Sequence, residues 1–178
     1  MEEVVKPTLG QNVYIAETSY VGGDVTLGDH CTVMHNVVIR ADIAPIRIGH
    51  SVNVQDGTVV HTRYGVPLDI ADEVGIGHSA VVHCRRVDTF SLIGTGSIVL
   101  DDCEIGSRCV VAAGAVLTPG TIVPDGHVVM GVPGKIVREV TEQDLAMIEH
   151  VITSYKRLGT AHASGRFPNI ARAGADYR

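Results

Sequence analysis

A six-residue period runs through most of the chain and narrows the folds that it can adopt. Aliphatic residues recur at every sixth position from Ile15 to Ile39, and the same spacing resumes three more times before it ends at Val129. We call these residues anchors: Ile15, Val21, Leu27, Val33, Ile39, Ile48, Val54, Val60, Ile70, Ile76, Val82, Val87, Ile93, Val99, Ile105, Val111, Leu117, Val123 and Val129. A helix has no reason to repeat every six residues, whereas a unit of one short strand and one turn does. The period therefore predicts a stack of short strands.

A small or β-branched residue stands two positions before most anchors. Residues two apart on a strand point to the same side, so we expect both to face the interior. Cys31, Cys103 and Cys109 occupy this small inward position, which predicts reduced core thiols. Cys84 alone lies outside it.

This repeat resembles that of the hexapeptide-repeat family over about residues 10–134. The resemblance implies a left-handed parallel β-helix of triangular cross-section, with eighteen residues in each turn. The predicted fold class is therefore mainly β, a left-handed parallel β-helix of hexapeptide repeats with a C-terminal α-helix. We divide the chain into the β-helix domain (1–136), a helix packed on it (137–160) and a loosely ordered tail (161–178).

The helix is predicted from a change of pattern after Gly134. Thr141 is a suitable N-cap residue, with Asp144 in the first turn. Leu145, Ile148, Ile152 and Tyr155 follow at helical spacing, and we expect the helix to end near Gly159.

Three histidines in the middle of the repeat are candidate metal ligands. His61 and His83 each follow an anchor by one position and, after the insertion near Arg63–Pro67 is discounted, are one turn apart. Their side chains should stack on one face about 4.8 Å apart, close enough to share a metal. Three neutral imidazoles with an open fourth position are typical of catalytic zinc.

His78 follows its anchor by two positions and therefore belongs to an earlier edge of the prism than His83. It is badly placed to reach the other two histidines of its own chain, but a neighbouring chain could supply it. A closed ring of three subunits provides that contact, so we expect a homotrimer with the metal shared between subunits.

Four further residues are expected near these ligands. Arg40 lies one turn below His61, and Asp56 lies one turn below His78. If the two columns meet across an interface, Arg40 and Asp56 should form an ion pair, with Asp42 as a second candidate partner for Arg40. Gln55 would lie beside the metal and could hydrogen-bond a bound water or anion.

The segments Arg40–Asp42, Val54–Asp56, His61–Thr62 and Gly77–His83 together resemble the gamma-class carbonic anhydrases. The resemblance implies zinc, or alternatively iron or cobalt, held by His61 and His83 of one subunit and His78 of the next. It also implies zinc-hydroxide hydration of carbon dioxide to bicarbonate, with Gln55 orienting the hydroxide and with an Arg40–Asp56 intersubunit salt bridge.

Two features depart from the family pattern. The loop after His61 is short and contains no glutamate for proton relay, and Cys84 stands where glycine is usual. Two alternatives therefore stay open: a metal-binding or assembly homologue with weak or no hydratase activity or another small substrate, and a hexapeptide-repeat acyltransferase, which would need no metal.

The composition and charge argue against several other classes of protein. The formal net charge is −6 and no basic stripe is present, which argues against a nucleic-acid partner. No apolar run is long enough to span a membrane. The N-terminus lacks a signal pattern, so we expect a cytoplasmic location.

Overall fold

The computed structural model describes residues 4–169, in which the six-residue units stack as a parallel β-solenoid of about seven turns. One α-helix follows the solenoid. The predicted fold class, a mainly β left-handed helix of hexapeptide repeats with a C-terminal α-helix, is confirmed.

The described residues contain nineteen short strands, most of them only two or three residues long. In chain order they are β1 (Thr8–Leu9), β2 (Tyr14–Ile15), β3 (Tyr20–Leu27), β4 (Thr32–Val33), β5 (Val38–Ile48), β6 (Asn53–Val54), β7 (Val59–His61), β8 (Leu68–Ile70), β9 (Gly75–Ile76), β10 (Val81–Val82), β11 (Arg86–Val87), β12 (Leu92–Ile93), β13 (Ile98–Val99), β14 (Glu104–Ile105), β15 (Val110–Val111), β16 (Val116–Leu117), β17 (Ile122–Val123), β18 (His127–Met130) and β19 (Lys135–Glu139). A strand of two residues has almost no stability alone, so these strands depend on their stacked neighbours.

The anchors pair in register on three faces of the solenoid. Face 1 stacks Val21, Ile39, Val60, Val82, Val99 and Leu117. Face 2 stacks Leu27, Ile48, Ile70, Val87, Ile105 and Val123. Face 3 stacks Ile15, Val33, Val54, Ile76, Ile93, Val111 and Val129. Every predicted anchor thus contacts the anchor one turn away.

The anchors form the core that the period predicts. Seventeen of the nineteen are buried, and the other two, Ile15 and Val21, are partly buried against the same cluster. All four cysteines are buried and free. Cys84 belongs to this core as well, and burial raises the pKa of its thiol to about 12. The interval from Val82 to Val87 is five residues, one short of the period, and Cys84 takes the inward position there.

The extra residues in the repeat do not disturb the stacking. Between Ile39 and Ile48 the chain continues as the single long strand β5, which joins faces 1 and 2 in one sheet. Between β7 and β8 the extra residues form a loop, closed by a bridge between Arg63 and Val66. Val60 and Val82 remain paired across that loop, so the turns that carry the candidate ligands keep their register.

Helix α1 (Glu142–Ala163) covers face 3. Thr141 is its N-cap, as predicted, and forms a capping box with Asp144. Ile148 and Ile152 are buried against Val110 and Val128 of face 3. The helix replaces water over apolar strand residues, which explains its apolar stripe. Between residues 4 and 169 we find no helix with the length and apolarity to cross a membrane.

Two boundaries differ from the prediction. Residues 137–139 are not helical but belong to β19, which pairs antiparallel with β18. The helix also does not end near Gly159, because that glycine lies inside it and is buried. A Cβ at this position would come within 2.5 Å of the Thr32 hydroxyl oxygen, so glycine is needed here for close helix packing. The predicted tail lies partly outside the described residues.

We expect Asp144→Asn to destabilise the C-terminal helix by about 1 kcal/mol at neutral pH. Hydrogen bonds from Arg138 and then Thr141 hold the pKa of the Asp144 carboxyl well below its usual range. Because the folded-state pKa is lowered, this stabilisation is present above the unfolded pKa of about 3.9 and is lost as the pH falls below it. Urea unfolding followed by helical circular dichroism should separate wild type and variant at pH 7 and bring them together in acid. An equal difference at both pH values would contradict this assignment.

Candidate metal centre

His61 and His83 stand next to each other on face 1. Each directly follows an anchor, and the two anchors, Val60 and Val82, pair in register. Nδ1 of His61 lies 3.2 Å from Nε2 of His83, and the ring centroids are 5.2 Å apart. Arg40 pairs with His61 in the next strand, so it occupies the predicted position one turn below.

A carboxylate holds the outer nitrogen of each of these two rings. Nε2 of His61 lies 3.0 Å from an oxygen of Asp42, and Nδ1 of His83 lies 2.8 Å from an oxygen of Asp101. The hydrogen bond with His61, and Arg40 beside it, hold the pKa of Asp42 below its ordinary value. Histidines that ligate metals commonly make such a bond through the other ring nitrogen. The inner nitrogens are thereby turned towards each other.

The spacing of those inner nitrogens fits a zinc ion. A tetrahedral zinc with bonds of 2.0–2.1 Å places two of its nitrogen ligands about 3.3 Å apart, close to the 3.2 Å that separates His61 Nδ1 from His83 Nε2. His61 and His83 are also partly shielded, with side chains 15% and 26% exposed. The donor set and its spacing therefore suit a metal that takes imidazole ligands.

His78 lies away from this pair. Its Nδ1 is 3.1 Å from an Asp56 oxygen, and its Nε2 is 3.2 Å from the hydroxyl of Tyr155 on α1. Asp56 also accepts a hydrogen bond from the backbone N–H of His35. Burial, and then the charge of Asp56, raise the pKa of Tyr155. Within residues 4–169 of one chain, no three His, Cys, Asp or Glu side chains form a group that could hold a metal.

The remaining predicted site residues are separated in the single chain. Arg40 forms an ion pair with Asp42, and Asp56 pairs with His78. The predicted ion pair between Arg40 and Asp56 is therefore not formed within the single chain. Gln55 is buried and donates a hydrogen bond from Nε2 to the side-chain oxygen of Asn53, 3.0 Å away. Nδ2 of Asn53 is buried and has no hydrogen-bond partner within the described part of the chain.

Sequence reasoning missed Asp101, Tyr155 and Asn53 as members of this site. Asp101 could have been found, because it follows His83 by eighteen residues and so lies one turn further along. Asn53 stands two residues before Gln55, and the two side chains of a strand that are two residues apart are neighbours. Tyr155 carried no signal, since its contact with His78 depends on how the helix docks.

The three faces present different outward side chains. Helix α1 covers face 3, whereas face 2 displays a column of charged residues formed by Arg47, Asp69, Arg86 and Glu104. Face 1 displays Tyr20, Val38, Val59, Val81, Ile98 and Val116, which lie one position before its anchors and are exposed or partly exposed. This apolar column runs beside His61 and His83. Contiguous exposed apolar surface is more common at interaction sites than elsewhere on a protein.

Comparison with known proteins finds relatives that match most of the chain. A family model described as dynactin subunit 5 matches residues 3–160. A carbonic anhydrase of Geobacillus kaustophilus is 38% identical over 153 residues, which cover 86% of this chain and 84% of that protein. Gamma carbonic anhydrase 1, mitochondrial, of Arabidopsis thaliana is 33% identical over 164 residues, covering 89% of this chain but only 60% of the relative.

Solved structures give the same fold. A hexapeptide transferase family protein from Anaplasma phagocytophilum superposes with a TM-score of 0.83 at 33% identity, covering 88% of this chain and 93% of that one. The solenoid and its repeat define the chain as a hexapeptide-repeat β-helix protein. Together with the stacked histidines, the sequence relatives narrow this class, and the chain belongs to the gamma carbonic anhydrase family.

The loop after His61, which contains no glutamate, differs from the family pattern in the structure as well. Arg63 forms an ion pair with Asp102, 2.9 Å away, and Tyr64 is 84% exposed. Asp69, the only acid in the segment that follows His61 as far as β8, lies in β8 on face 2. No carboxylate from this loop is therefore directed at the two stacked histidines.

Proposed function

We propose that this protein is a metal-dependent hydratase that converts carbon dioxide and water to bicarbonate and a proton at the interfaces of a homotrimer. The observation that carries the proposal is the pair of imidazole nitrogens, 3.2 Å apart, with a carboxylate on the outer nitrogen of each ring. Zinc is the metal that we propose, with iron or cobalt as alternatives.

The trimer would supply the third ligand. His61 and His83 lie on face 1, and His78 lies at the edge between faces 3 and 1 with its side chain 47% exposed. The apolar column of face 1 is the part of this solenoid best suited to burial against another copy. Packing face 1 of one chain beside the His78 edge of the next would bring the three histidines together, and three such contacts close a ring.

The residues of the chain would then have distinct tasks. Zinc held by the three histidines would lower the pKa of water at the site to about 7 and so supply the nucleophile near neutral pH. Asp42 and Asp101 hold the two stacked imidazoles in orientation. Gln55, whose amide is fixed by Asn53, would hydrogen-bond the reacting water or the anionic product. Arg40 and Asp56 would form their ion pair across the interface.

We expect stopped-flow measurements on zinc-loaded protein, or on iron-loaded protein kept anaerobic, to show carbon dioxide hydration well above the buffer rate. Chelation should abolish the rate, and added metal should restore it, because the water needs a metal to be ionised at neutral pH. Coenzyme A should leave the rate unchanged. A fully metal-loaded protein without any rate would contradict the hydratase.

Two alternatives have observations in their favour. The loop after His61 lacks a glutamate for proton export, and the matching family model is named for a subunit of an assembly. Both observations favour a metal-binding or assembly homologue with little or no turnover, or one that acts on another small substrate. The structural relative named as a hexapeptide transferase favours an acyltransferase. An acyltransferase should bind coenzyme A and keep its activity after chelation.

A further inference from the structure

We propose that Asp101 is a positioning residue for the metal ligand His83, and that the affinity of the site for its metal depends on it. This inference rests on the proposed function, since it concerns the same metal centre. Asp101 is not among the site residues that we predict from the sequence. It enters the site only through the stacking of one turn on the next.

The hydrogen bond has the geometry of a charge-assisted one. The Oδ1 atom of Asp101 lies 2.8 Å from Nδ1 of His83, within the range of about 2.7–2.9 Å for bonds to a carboxylate. A carboxylate can only accept, so Nδ1 must carry the proton. In a neutral imidazole the lone pair then lies on Nε2, the atom that faces His61. Asp101 thus selects the tautomer that can bind a metal.

A backbone hydrogen bond fixes the turn that carries Asp101, and the neighbouring Asp102 has a separate partner. The backbone carbonyl of Asp101 accepts a hydrogen bond of 2.8 Å from the N–H of Gly120 in the next turn. The adjacent carboxylate, Asp102, accepts a hydrogen bond of 3.1 Å from Arg63 in the loop after His61 and forms an ion pair with the same arginine at 2.9 Å. The neighbouring carboxylates therefore have separate partners: Asp101 holds a ligand, and Asp102 holds a loop.

Asp42 makes the equivalent bond to His61, but it also pairs with Arg40. Replacing Asp42 would therefore free an arginine that we place at the subunit interface. Within residues 4–169 the Asp101 side chain has no second hydrogen-bond or ion-pair partner, so Asp101 is the better position for a test.

The test compares Asp101→Ala, Asp101→Asn and Asp102→Asn by competition titration with zinc. We expect Asp101→Ala to lower the zinc affinity by about 10–100-fold, the usual effect of losing such a partner. Asp101→Asn should lower it less, because an amide oxygen still accepts from Nδ1–H but carries no charge. Asp102→Asn is the matched control: it makes the same chemical change one residue away, and asparagine tolerates the positive φ of 57° at that position. It should bind zinc as wild type does.

Cobalt-loaded protein provides a readout that a purely structural role would not move. The visible absorption of bound cobalt(II) should change in the Asp101 variants and stay unchanged in Asp102→Asn. Sedimentation would verify that each variant keeps the oligomeric state of the wild type. Wild-type zinc affinity and an unchanged cobalt spectrum in Asp101→Ala would overturn the inference. A wild type that binds neither zinc nor cobalt would instead overturn the proposed function itself.

Discussion

Replacing His78 with alanine is expected to empty the metal site of every subunit and to abolish carbon dioxide hydration, while the protein stays folded. His78 would be one of three ligands, yet within residues 4–169 of the single chain its ring nitrogens contact Asp56 and Tyr155, and its side chain is 47% exposed. Surface substitutions of this kind usually change the free energy of unfolding by about 0.5 kcal/mol or less. Elemental analysis after dialysis against a weak chelator would measure the metal content.

His50→Ala is the matched control for that variant. His50 is 54% exposed and lies 3.1 Å from Asp72, so it repeats the environment of His78 without belonging to the proposed site. It should retain its metal and its activity. A fully metal-loaded His78→Ala protein would contradict a metal shared between subunits.

Mixed trimers test the sharing directly. A His78→Ala chain keeps His61 and His83, whereas a His61→Ala chain keeps His78. In a ring assembled at random from equal amounts of both, about one quarter of the interfaces combine the intact halves. Refolding the two inactive variants together should therefore restore about a quarter of the wild-type metal content and rate. No recovery in verified mixed trimers would mean that the ligands come from one chain.

Replacing Ile105 with alanine is expected to lower the free energy of unfolding by about 2–5 kcal/mol. Ile105 is fully buried and is stacked between Val87 and Val123 on face 2. The neighbouring turns fix the height of the interior, so the cavity cannot close by a shift of one strand. Urea unfolding at one fixed protein concentration would measure the change, because the stability of an oligomer depends on concentration.

Ile122→Ala is the control for this variant, because it makes the same substitution at an exposed position. Ile122 lies on the same face, pairs with Glu104 and is 68% exposed, so its loss should change the free energy of unfolding by about 0.5 kcal/mol or less. Equal effects of the two substitutions would mean that the solenoid interior relaxes around a missing side chain.

The repeat could be predicted in detail because it depends on one geometric rule. In a solenoid each strand contacts the strand one turn away, so positions that share a place in the period must share a place in space. This rule locates the anchors, Cys31, Cys103 and Cys109, and the stacking of His61 with His83. It also separates His78 from them, as the structure of the single chain does.

Features that depend on side chains from different elements could not be predicted in this way. Gly159 looked like a helix terminator, but its role is close packing against Thr32. Residues 135–139 carry no repeat signal and form β19 only because β18 offers a free edge. The contact of Tyr155 with His78 requires the docking position of the whole helix. The period does not predict the inward position of Cys84, because the interval from Val82 to Val87 is five residues instead of six.

The origin of the two stacked histidines has a consequence for the ions that the proposed metal site could accept. His61 and His83 extend from paired strands of adjacent turns and not from mobile loops. Their separation is therefore determined by the hydrogen bonds between turns, about 4.8 Å from strand to strand, and these bonds continue along the whole stack. To suit an ion of a different radius by moving one strand, the backbone of several turns would have to move with it, so only rotation of the imidazoles could adjust the site. The spacing of the β-sheet would then set the range of ion sizes that the two imidazoles can share.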